Sequence, residues 1–482
     1  MDPLLLQNTG PTGAMLAGDV AALQKALTAD YGTDMASLSG GGALRIQSLD
    51  ATMQSTIQEN SHFRLINRLP KPKAGATVDE WTEQNGIGGF LGGNTNTEVG
   101  VVGDSTGSYN RRTGLIKYLT TRRQVSFVQT LQSAIADAES IEYNNGALEL
   151  LSNMEYLCFE GDSTVVPTEF DGIYAQMVAG VAAGQVDGHN ILDARAATLS
   201  SINLLNTAAA TISGFGNFGT PTDLFMSQLV QADFDTGLDP AFRVALTDVP
   251  NGGISLGSPV VGIRTSWGNI KTNPDVFIRD EPLQTPFELR YAAQAVAQLA
   301  IKPTIGSPSR AANAASLFGA AQAGNYYYAV SGCNALGQSA VVVSTQVAVQ
   351  SGDRVSLVIT RSAGAGETGY VIYRGRLNGT NAVADLREVK RIPCAGATTT
   401  YTDDNTDIPG TSKAYVLNMA AGATAITWRQ LLPMIKFPLY PTNAAVIPWL
   451  QMVFGYLRIS KRRHHVVIKN ILPNGATWKP FG

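Results

Sequence analysis

Residues that could do chemistry in this chain are few and scattered. Histidine, the usual acid–base side chain near neutral pH, occurs four times in 482 residues. Two of the four are adjacent, His464 and His465, but no cysteine or carboxylate lies near them at the spacing of a metal site. Basic residues flank the pair, so an edge strand is favoured over a bound metal.

Three other patterns could bind a ligand or move a proton, and each has a simpler interpretation. The stretch Gly88 to Gly93 is as rich in glycine as a phosphate-binding loop, but the Gly-Lys-Ser/Thr ending of a P-loop is missing, which favours a flexible tip. The acidic run Asp403 to Asp407 lacks the glycine and later glutamate of a calcium loop, so a plain turn is favoured and a weak cation site stays open. Asp137, Glu139 and Glu142 are better explained as a solvated helix face or as intersubunit pairs than as acid–base groups. The sequence therefore predicts no catalytic residue, cofactor or metal site.

The composition favours an assembly. Charged residues make up 15% of the chain, against about 25% in a typical soluble domain. Subunit contacts are the simplest way for such a chain to bury much of its surface, although a charge-poor monomer remains the alternative. The net charge is −3, and the sequence lacks the stripe of basic residues that a dedicated nucleic-acid binder carries. One short cluster, Arg458, Lys461, Arg462 and Arg463, could contact phosphates non-specifically or a neighbouring subunit.

Compartment signals point to a cytoplasmic protein. The three cysteines, Cys158, Cys333 and Cys394, are far apart and odd in number, which fits a reducing compartment better than a disulfide framework. The N-terminal residues lack the basic region and apolar core of a signal peptide. The longest apolar stretch, Ala444 to Leu457, is interrupted by Pro448 and is shorter than the ~20 residues of a membrane helix.

A glycine-rich segment predicts a long finger. Residues 62–68 read as a strand that ends at Pro70 and Pro72, and residues 114–120 read as the returning strand. Between them the chain is dominated by glycine, with the tip at Gly86, Gly88, Gly89, Phe90 and Leu91. A two-stranded finger of this kind has no core of its own and is marginal in water. We therefore expect it to lie on a neighbouring molecule, unless it is disordered.

The rest of the chain predicts a mixed α/β body with an all-β insertion. A long helix is expected over residues 124–160, with a kink or break at Asn144-Asn145-Gly146, and further helices over 191–204 and 286–301. Pro221 to Ser227 reads as a buried strand that runs into a helix. Residues 302–320 have the composition of a linker, and alternating residues from there to about 416 predict a β-sandwich. Two closing strands are expected over 449–457 and 465–468.

Several segments occur in an order that resembles one known family. They are His62 to Ile66 with Leu69-Pro70-Lys71, the finger, Arg122 to Val125 before the long helix, the helix ending Met154 to Asp162, then Pro167 to Ile173, and finally Phe454 to Leu457 and Lys461 to Asn470. The Glu-x-x-x-Phe-x-Gly-Asp ending followed by Glu169-Phe170-Asp171-Gly172-Ile173 is the most specific piece. The chain thus resembles the major capsid proteins of tailed bacteriophages, with the α+β Hong Kong 97-type fold, over roughly residues 40–300 and 425–472.

The resemblance implies a division of the chain into named parts. They are an N-terminal arm (1–60), an E-loop that lies across the adjacent subunit (61–121), a peripheral P domain with the spine helix (122–175), an axial A domain (176–304), an insertion (305–416), and A-domain completion followed by P-domain return strands (417–482). The insertion itself resembles an immunoglobulin-like or fibronectin type III-like module, carried by Tyr326 to Val330, Tyr370 to Arg374 and Thr400 to Asp403. In this family, such modules lie on the outside of the shell.

The resemblance also implies a function. The chain is expected to assemble with itself as pentamers and hexamers into an icosahedral head around double-stranded DNA, in the cytoplasm of a bacterial host, and to become part of the virion. Portal, scaffolding and decoration proteins are the expected partners, and no membrane is expected. An encapsulin-like bacterial compartment is the first alternative, and a surface adhesin or glycan-processing protein is the second.

Overall fold

The computed structural model describes residues 62–131, 138–199, 202–237, 260–290, 299–420, 422, 424–441 and 444–481. The predicted N-terminal arm, Asp137 and half of the predicted helix over 286–301 (residues 291–298) lie outside the described residues. A small compact unit includes residues 127–131 and 138–141, and the other described residues belong to one large unit. The two units are described separately.

The helices and strands are labelled in chain order. The helices are α1 Phe127–Leu131, α2 Ala138–Glu160, α3 Ile173–Ala182, α4 Ile202–Ser213, α5 Gln228–Gly237 and α6 Phe287–Arg290. The strands of the body are β1 Val78–Gly86, β2 Ser108–Leu115, β3 Lys117–Ser126, β4 Ile191–Asp193, β5 Asp223–Met226, β6 Gly262–Thr265 and β7 Gly268–Pro274. The strands of the all-β region are β8 Thr304–Ile305, β9 Ser309–Ala312, β10 Gly324–Tyr326, β11 Tyr328–Asn334, β12 Gly337–Gln338, β13 Val342–Val343, β14 Val347–Val349, β15 Asp353–Thr360, β16 Gly369–Gly375, β17 Leu386–Pro393 and β18 Thr398–Asp403. The closing strands are β19 Ser412–Leu417, β20 Ile426–Pro438, β21 Val446–Ile459 and β22 Val466–Ile471.

A six-stranded mixed sheet forms the centre of the body, in the order β4-β22-β19-β5-β7-β6. All residues of β5 are buried, and the strand leads into α5 as predicted. The predicted helix over 191–204 is wrong at its start, because Ile191–Asp193 is a strand that pairs in parallel with β22. Arg195 and Ala196 then turn the chain at positive φ angles of 54° and 61°, and α4 begins only at Ile202.

A three-stranded antiparallel sheet, β20-β21-β3, forms the second layer of the body. The predicted break at Gly146 is wrong: α2 runs through this position for 23 residues, about 35 Å at 1.5 Å per residue. A Cβ atom at Gly146 would lie 1.8 Å from the Oε1 atom of Gln451 in β21. The same glutamine donates through Nε2 to the Tyr143 carbonyl at 2.8 Å. Gly146 therefore allows a strand to approach the helix closely.

The segment before the finger is a buried turn, and the predicted strand over residues 62–68 is wrong. Its backbone N–H groups bond to a side chain instead of a strand: Arg64 and Leu65 donate to Oε1 of Glu155 at 3.0 and 2.6 Å, and Ile66 donates to Oε2 at 2.8 Å. Glu155 lies on α2 and is fully buried. One carboxylate thus satisfies three backbone donors that would otherwise be unpaired in the core.

The most specific sequence motif builds the turn that ends α2. The N–H of Gly161 donates to the Leu157 carbonyl at 3.0 Å, and the N–H of Gly172 donates to the Gly161 carbonyl at 2.9 Å. A Cβ atom at Gly172 would lie 2.6 Å from the Leu157 carbonyl oxygen. Phe170, between them in sequence, packs edge-on against Trp428 with ring centroids 5.2 Å apart. The two glycines are therefore needed for the close approach of backbone to backbone.

The all-β region contains two larger sheets and a two-stranded sheet, β10-β14, and all three contribute to one core. One sheet has the order β12-β11-β16-β17 with β13 beside β11, and the other has the order β18-β15-β8 with β9 beside β15. Residues from both sheets, among them Tyr328, Ile372 and Leu357, form a single buried cluster. Residues 302–320 are therefore not a free linker, because β8 and β9 both pair with β15.

The predicted limits of the insertion and of the closing strands need correction. Ser412–Leu417 pairs with β5 and β22, so the all-β strands end at Asp403 and residues 412–416 belong to the body. The closing strands are divided between the two sheets of the body: β20 and β21 join β3, whereas β22 joins the six-stranded sheet.

Buried ion pairs fix the all-β region to the body. Arg279, from the body, donates to Glu388 of β17 at 2.6 Å, and Arg387 pairs with Glu281. Burial would raise the pKa of Glu388, but the charges of Arg279 and Arg391 outweigh it and lower the pKa to about 2. The two parts therefore form a continuous packed structure.

Candidate intersubunit surfaces

The finger is a two-stranded hairpin, as predicted, although its strands are β1 and β2. Alternate residues of β1 face the body, which fits the two-residue period of a strand. Asp79 accepts from Tyr456 Oη at 2.6 Å, Arg429 Nε at 3.0 Å and Arg458 Nη1 at 3.2 Å. Burial would raise the pKa of Asp79, but these donors and charges lower it overall. The base of the finger is thus anchored to its own chain.

A second buried ion pair anchors the finger further along β1. Glu83 accepts from Arg462 Nη2 at 2.8 Å, and both side chains are almost fully buried. Arg462 also donates to Gln185 at 2.5 Å. Arg458 lies over the ring of Trp81, 5.4 Å from its centroid. Of the four predicted basic contact residues, Arg458 and Arg462 are therefore engaged inside the chain, while Lys461 is exposed and Arg463 half-buried.

The tip of the finger exposes apolar side chains. Phe90 is 78% exposed and Val101 is 97% exposed, and Ile87, Leu91, Val99 and Val102 are likewise mostly exposed. Gly88 and Gly89 have positive φ angles of 80° and 71°, and a Cβ atom at Gly88 would lie 2.6 Å from the Thr106 carbonyl oxygen. Large exposed apolar patches mark interaction sites in soluble proteins. The predicted tip residues are therefore together, and the geometry suits a contact with another molecule.

One face of the β20-β21-β3 sheet is also apolar and only partly covered. Tyr118 of β3 packs edge-on against Phe454 of β21, with centroids 4.8 Å apart, and is 57% exposed. Leu450 and Met452 share this face with Phe454, and all three are half-buried. Phe437, paired with Leu450, is exposed. The opposite face of β21 carries Gln451 and packs on α2, so this face is the one open to another molecule.

The other sequence candidates lie in structural roles. Burial lowers the pKa of His465 to about 3, so this histidine is neutral, and its Nδ1 accepts from the Asn418 N–H at 3.3 Å. The acidic turn is occupied by its own chain: Asp403 pairs with the buried Arg374 at 2.6 Å, and Asp404 pairs with Arg354.

Two Gly-x-Ser-x-Gly patterns were not among the predicted candidates, although their spacing is that of a nucleophile motif. Residues 103–107 lie on the exposed finger tip without the strand-to-helix turn of a nucleophile elbow, and residues 253–257 lie outside the described chain. Glu142 pairs with Arg123 at 3.2 Å, and Glu139 lies in the small unit. In the described part of the chain, no three His, Cys, Asp or Glu side chains meet as a metal site would require.

Sequence reasoning missed the anchors of the finger and one exposed aromatic pair. The signal for the anchors was present in the alternation of Asp79, Trp81 and Glu83. The aromatic pair is Phe215 and Phe218, in a glycine-flanked loop after α4 that was not singled out. Among the described residues, no helix is long and apolar enough to span a membrane.

Comparison with known proteins gives matches over almost the whole chain, although no protein-family model matches. The chain is 26% identical over 469 residues to the major capsid protein of Staphylococcus phage K, covering 93% of this chain and 94% of that protein. It is also 26% identical over 466 residues to the putative major capsid protein of Enterococcus phage phiEF24C, with the same coverage.

Solved structures that match the chain have lower identities. The capsid of the native GTA particle has a TM-score of 0.47 at 8% identity, covering 92% of this chain and 100% of that chain. The capsid of Myoviridae Phage XM1 has a TM-score of 0.42 at 9% identity, covering 88% and 96%. The SrpI encapsulin complex of Synechococcus elongatus PCC 7942 has a TM-score of 0.36 at 8% identity, covering 90% and 96%. Because these scores lie below 0.5, the sequence relatives carry the comparison. Along nearly its whole length, this chain is similar to phage proteins named major capsid protein.

Proposed function

We propose that this chain is the major capsid protein of a tailed bacteriophage, which assembles as pentamers and hexamers into an icosahedral head around double-stranded DNA. The observation that carries the proposal is the similarity to phage major capsid proteins over 93% of the chain. The exposed finger adds a physical reason, because an anchored hairpin with an apolar tip gains stability only when another molecule covers that tip. These relatives carry capsid names, which leaves the encapsulin-like alternative less supported.

In the proposed shell, residues 61–121 act as the E-loop. The base of the hairpin stays on its own chain through Asp79 and Glu83, and the tip docks on the next subunit. The partly covered sheet face around Tyr118 and Phe454 is a second apolar surface that another subunit can cover. Burial of apolar area at about 25 cal/mol per Å² would then stabilise the contact.

The all-β region, Thr304 to Asp403, is proposed as an immunoglobulin-like or fibronectin type III-like module on the outside of the head. Antiparallel sheets packed around a shared core support this assignment. The ion pairs at Arg279 and Glu281 would hold the module at a fixed angle to the shell. Packaged DNA, portal, scaffolding and decoration proteins are the partners that the proposal implies, and assembly would take place in the host cytoplasm before the chain becomes part of the virion.

Deletion of the finger tip tests the proposal. We expect a chain without residues 84–108 to remain soluble but to form no closed shells, since the intersubunit contact is lost while both anchors remain. Electron microscopy and solution mass measure the outcome. A matched control is Leu336→Ser, which removes an apolar side chain that is 86% exposed on the all-β region and should leave shells intact. Normal shells from the deletion would refute the role of the finger. Particle diameter separates a phage head from a small compartment.

A further inference from the structure

A large cleft lies between the finger tip and the body. Its volume is about 1130 Å³, larger than the roughly 300–1,000 Å³ of most small-molecule pockets. Apolar side chains of the tip, Ile87, Phe90 and Leu91, line it together with Phe215 and Phe218. The size and the two apolar borders suit an extended stretch of polypeptide.

The loop that presents Phe215 and Phe218 is held by its own backbone. The Phe218 N–H donates to the Gly214 carbonyl at 3.1 Å, and the Gly219 N–H donates to the Ile212 carbonyl at 2.8 Å. Phe218 has a positive φ angle of 52°, which is unfavourable for a residue with a side chain. The two rings are nonetheless 68% and 61% exposed and pack edge to face at 5.6 Å. A strained, hydrogen-bonded loop with two exposed rings is preorganised for binding.

Cations line the same cleft. Arg458 and Arg462 are paired with Asp79 and Glu83, but Lys461 and Arg463 form no ion pair with any residue that the structure describes. Arg463 donates through Nε to the Gln185 carbonyl at 2.9 Å, which holds its side chain beside the cleft. An occupant with apolar side chains and carboxylates would complement these two cations.

Another part of the finger tip has this chemistry. Residues 98–104 read Glu-Val-Gly-Val-Val-Gly-Asp, and none of them belongs to a helix or strand. The three valines are 95%, 97% and 79% exposed. Glu98 and Asp104 are exposed and lack an ion pair among the described residues. This segment, termed the valine segment, carries two free carboxylates at its ends and does not line the cleft of its own chain.

We propose that the valine segment of one copy inserts into the cleft of a second copy, with its valines against Phe215 and Phe218 and its carboxylates near Lys461 and Arg463. The proposal rests on the proposed shell function and names the receptor for part of the finger. The contact is head-to-tail, because the segment and the cleft are different surfaces of the same chain. Repeated around an axis, such a contact closes into a ring of subunits.

Charge reversal tests this pairing between copies. One variant, Glu98→Lys with Asp104→Lys, makes the valine segment basic. A second, Lys461→Glu with Arg463→Glu, makes the cleft acidic. The control, Lys302→Glu with Lys479→Glu, reverses two exposed cations that do not line the cleft. Each variant is purified unassembled, and the yield of rings and shells is measured by sedimentation and electron microscopy.

We expect each of the two reversals alone to lose at least tenfold in assembled yield and the control to match the wild type. A 1:1 mixture of the two reversals should recover six-membered rings in which the variants alternate, because each basic segment then meets an acidic cleft and each acidic segment a basic cleft on another copy. Recovery also shows that both variants are folded. If the reversals assemble like the control, or if only a chain with all four substitutions recovers, the contact between copies is refuted. A wild-type chain that never assembles would instead refute the proposed shell function.

Discussion

Replacing Asp275 by asparagine should stabilise the folded chain, and increasingly so as the pH rises. Asp275 and Glu155 are both almost fully buried and share a hydrogen bond. Glu155 accepts three backbone N–H groups, which favours its charged form, so the proton of the pair resides on Asp275. Burial, followed by the repulsion of Glu155, raises the pKa of Asp275 to about 8. An amide can donate the same hydrogen bond without ever becoming charged.

The direction of the pH effect follows from proton linkage. The unfolded chain releases the Asp275 proton near its ordinary pKa of 3.8, whereas the folded chain keeps it until about pH 8. The free energy that this group contributes to folding is therefore fully present below pH 3.8. It decreases above that pH and is lost once the pH has risen through about 8. One pKa unit corresponds to about 1.4 kcal/mol of folding free energy. We expect Asp275→Asn to raise the free energy of unfolding by about 2–3 kcal/mol at pH 8.5, which is half or less of what the whole pKa shift would give.

Calorimetry of the unassembled subunit between pH 4 and pH 9 measures this effect. The melting temperatures of the variant and the parent should coincide near pH 4 and separate above it, with the variant higher. Asp104→Asn, at an exposed position on the finger, serves as the control and should follow the parent at every pH. Equal separation at all pH values, or a variant that melts below the parent at pH 8.5, would contradict the shared-proton explanation.

Two further substitutions test the packing of the body. Gly172→Ala should lower the free energy of unfolding by about 1–3 kcal/mol, because the added methyl group would overpack against the Leu157 carbonyl. Gly188→Ala, whose added methyl group would meet no atom within 4 Å, should lower it far less. Calorimetry of both variants measures the difference. Arg279→Met should cost less than the roughly 3–5 kcal/mol of a fully broken buried pair, because the buried Glu388 loses its contact with Arg279 but keeps Arg391 at 3.1 Å. Adding Glu388→Gln should recover part of that loss, and a double variant no more stable than the single one would show that the ion pair does not couple the all-β region to the body.

The sequence predicted the elements whose signals are local. Glycine content located the finger tip, and alternating residues located the strands of the all-β region and the closing strands. The buried strand that runs into α5 was also predicted, because its apolar run is short and is followed by helical spacing. These features depend on residues within about ten positions of one another.

Features that depend on distant partners were not predictable. Residues 62–68 have the apolar run of a strand, yet their backbone donors bond to Glu155, some 90 residues later in the chain. Gly146 suggested a break because nothing nearby revealed that Gln451 approaches the helix there. Which of the two sheets β20, β21 and β22 join also depends on strand pairing, which residue periodicity does not specify. The outgoing strand of the finger was missed because its exposed charged residues resemble a loop.

The central claim, that this chain builds a shell with itself, is tested most directly by electron microscopy of the purified, overexpressed full chain, with its mass in solution measured alongside. We predict closed shells or rings of five or six subunits, with the finger of each subunit on its neighbour. A chain that remains a monomer in the producing cells and at high concentration after purification would contradict the claim.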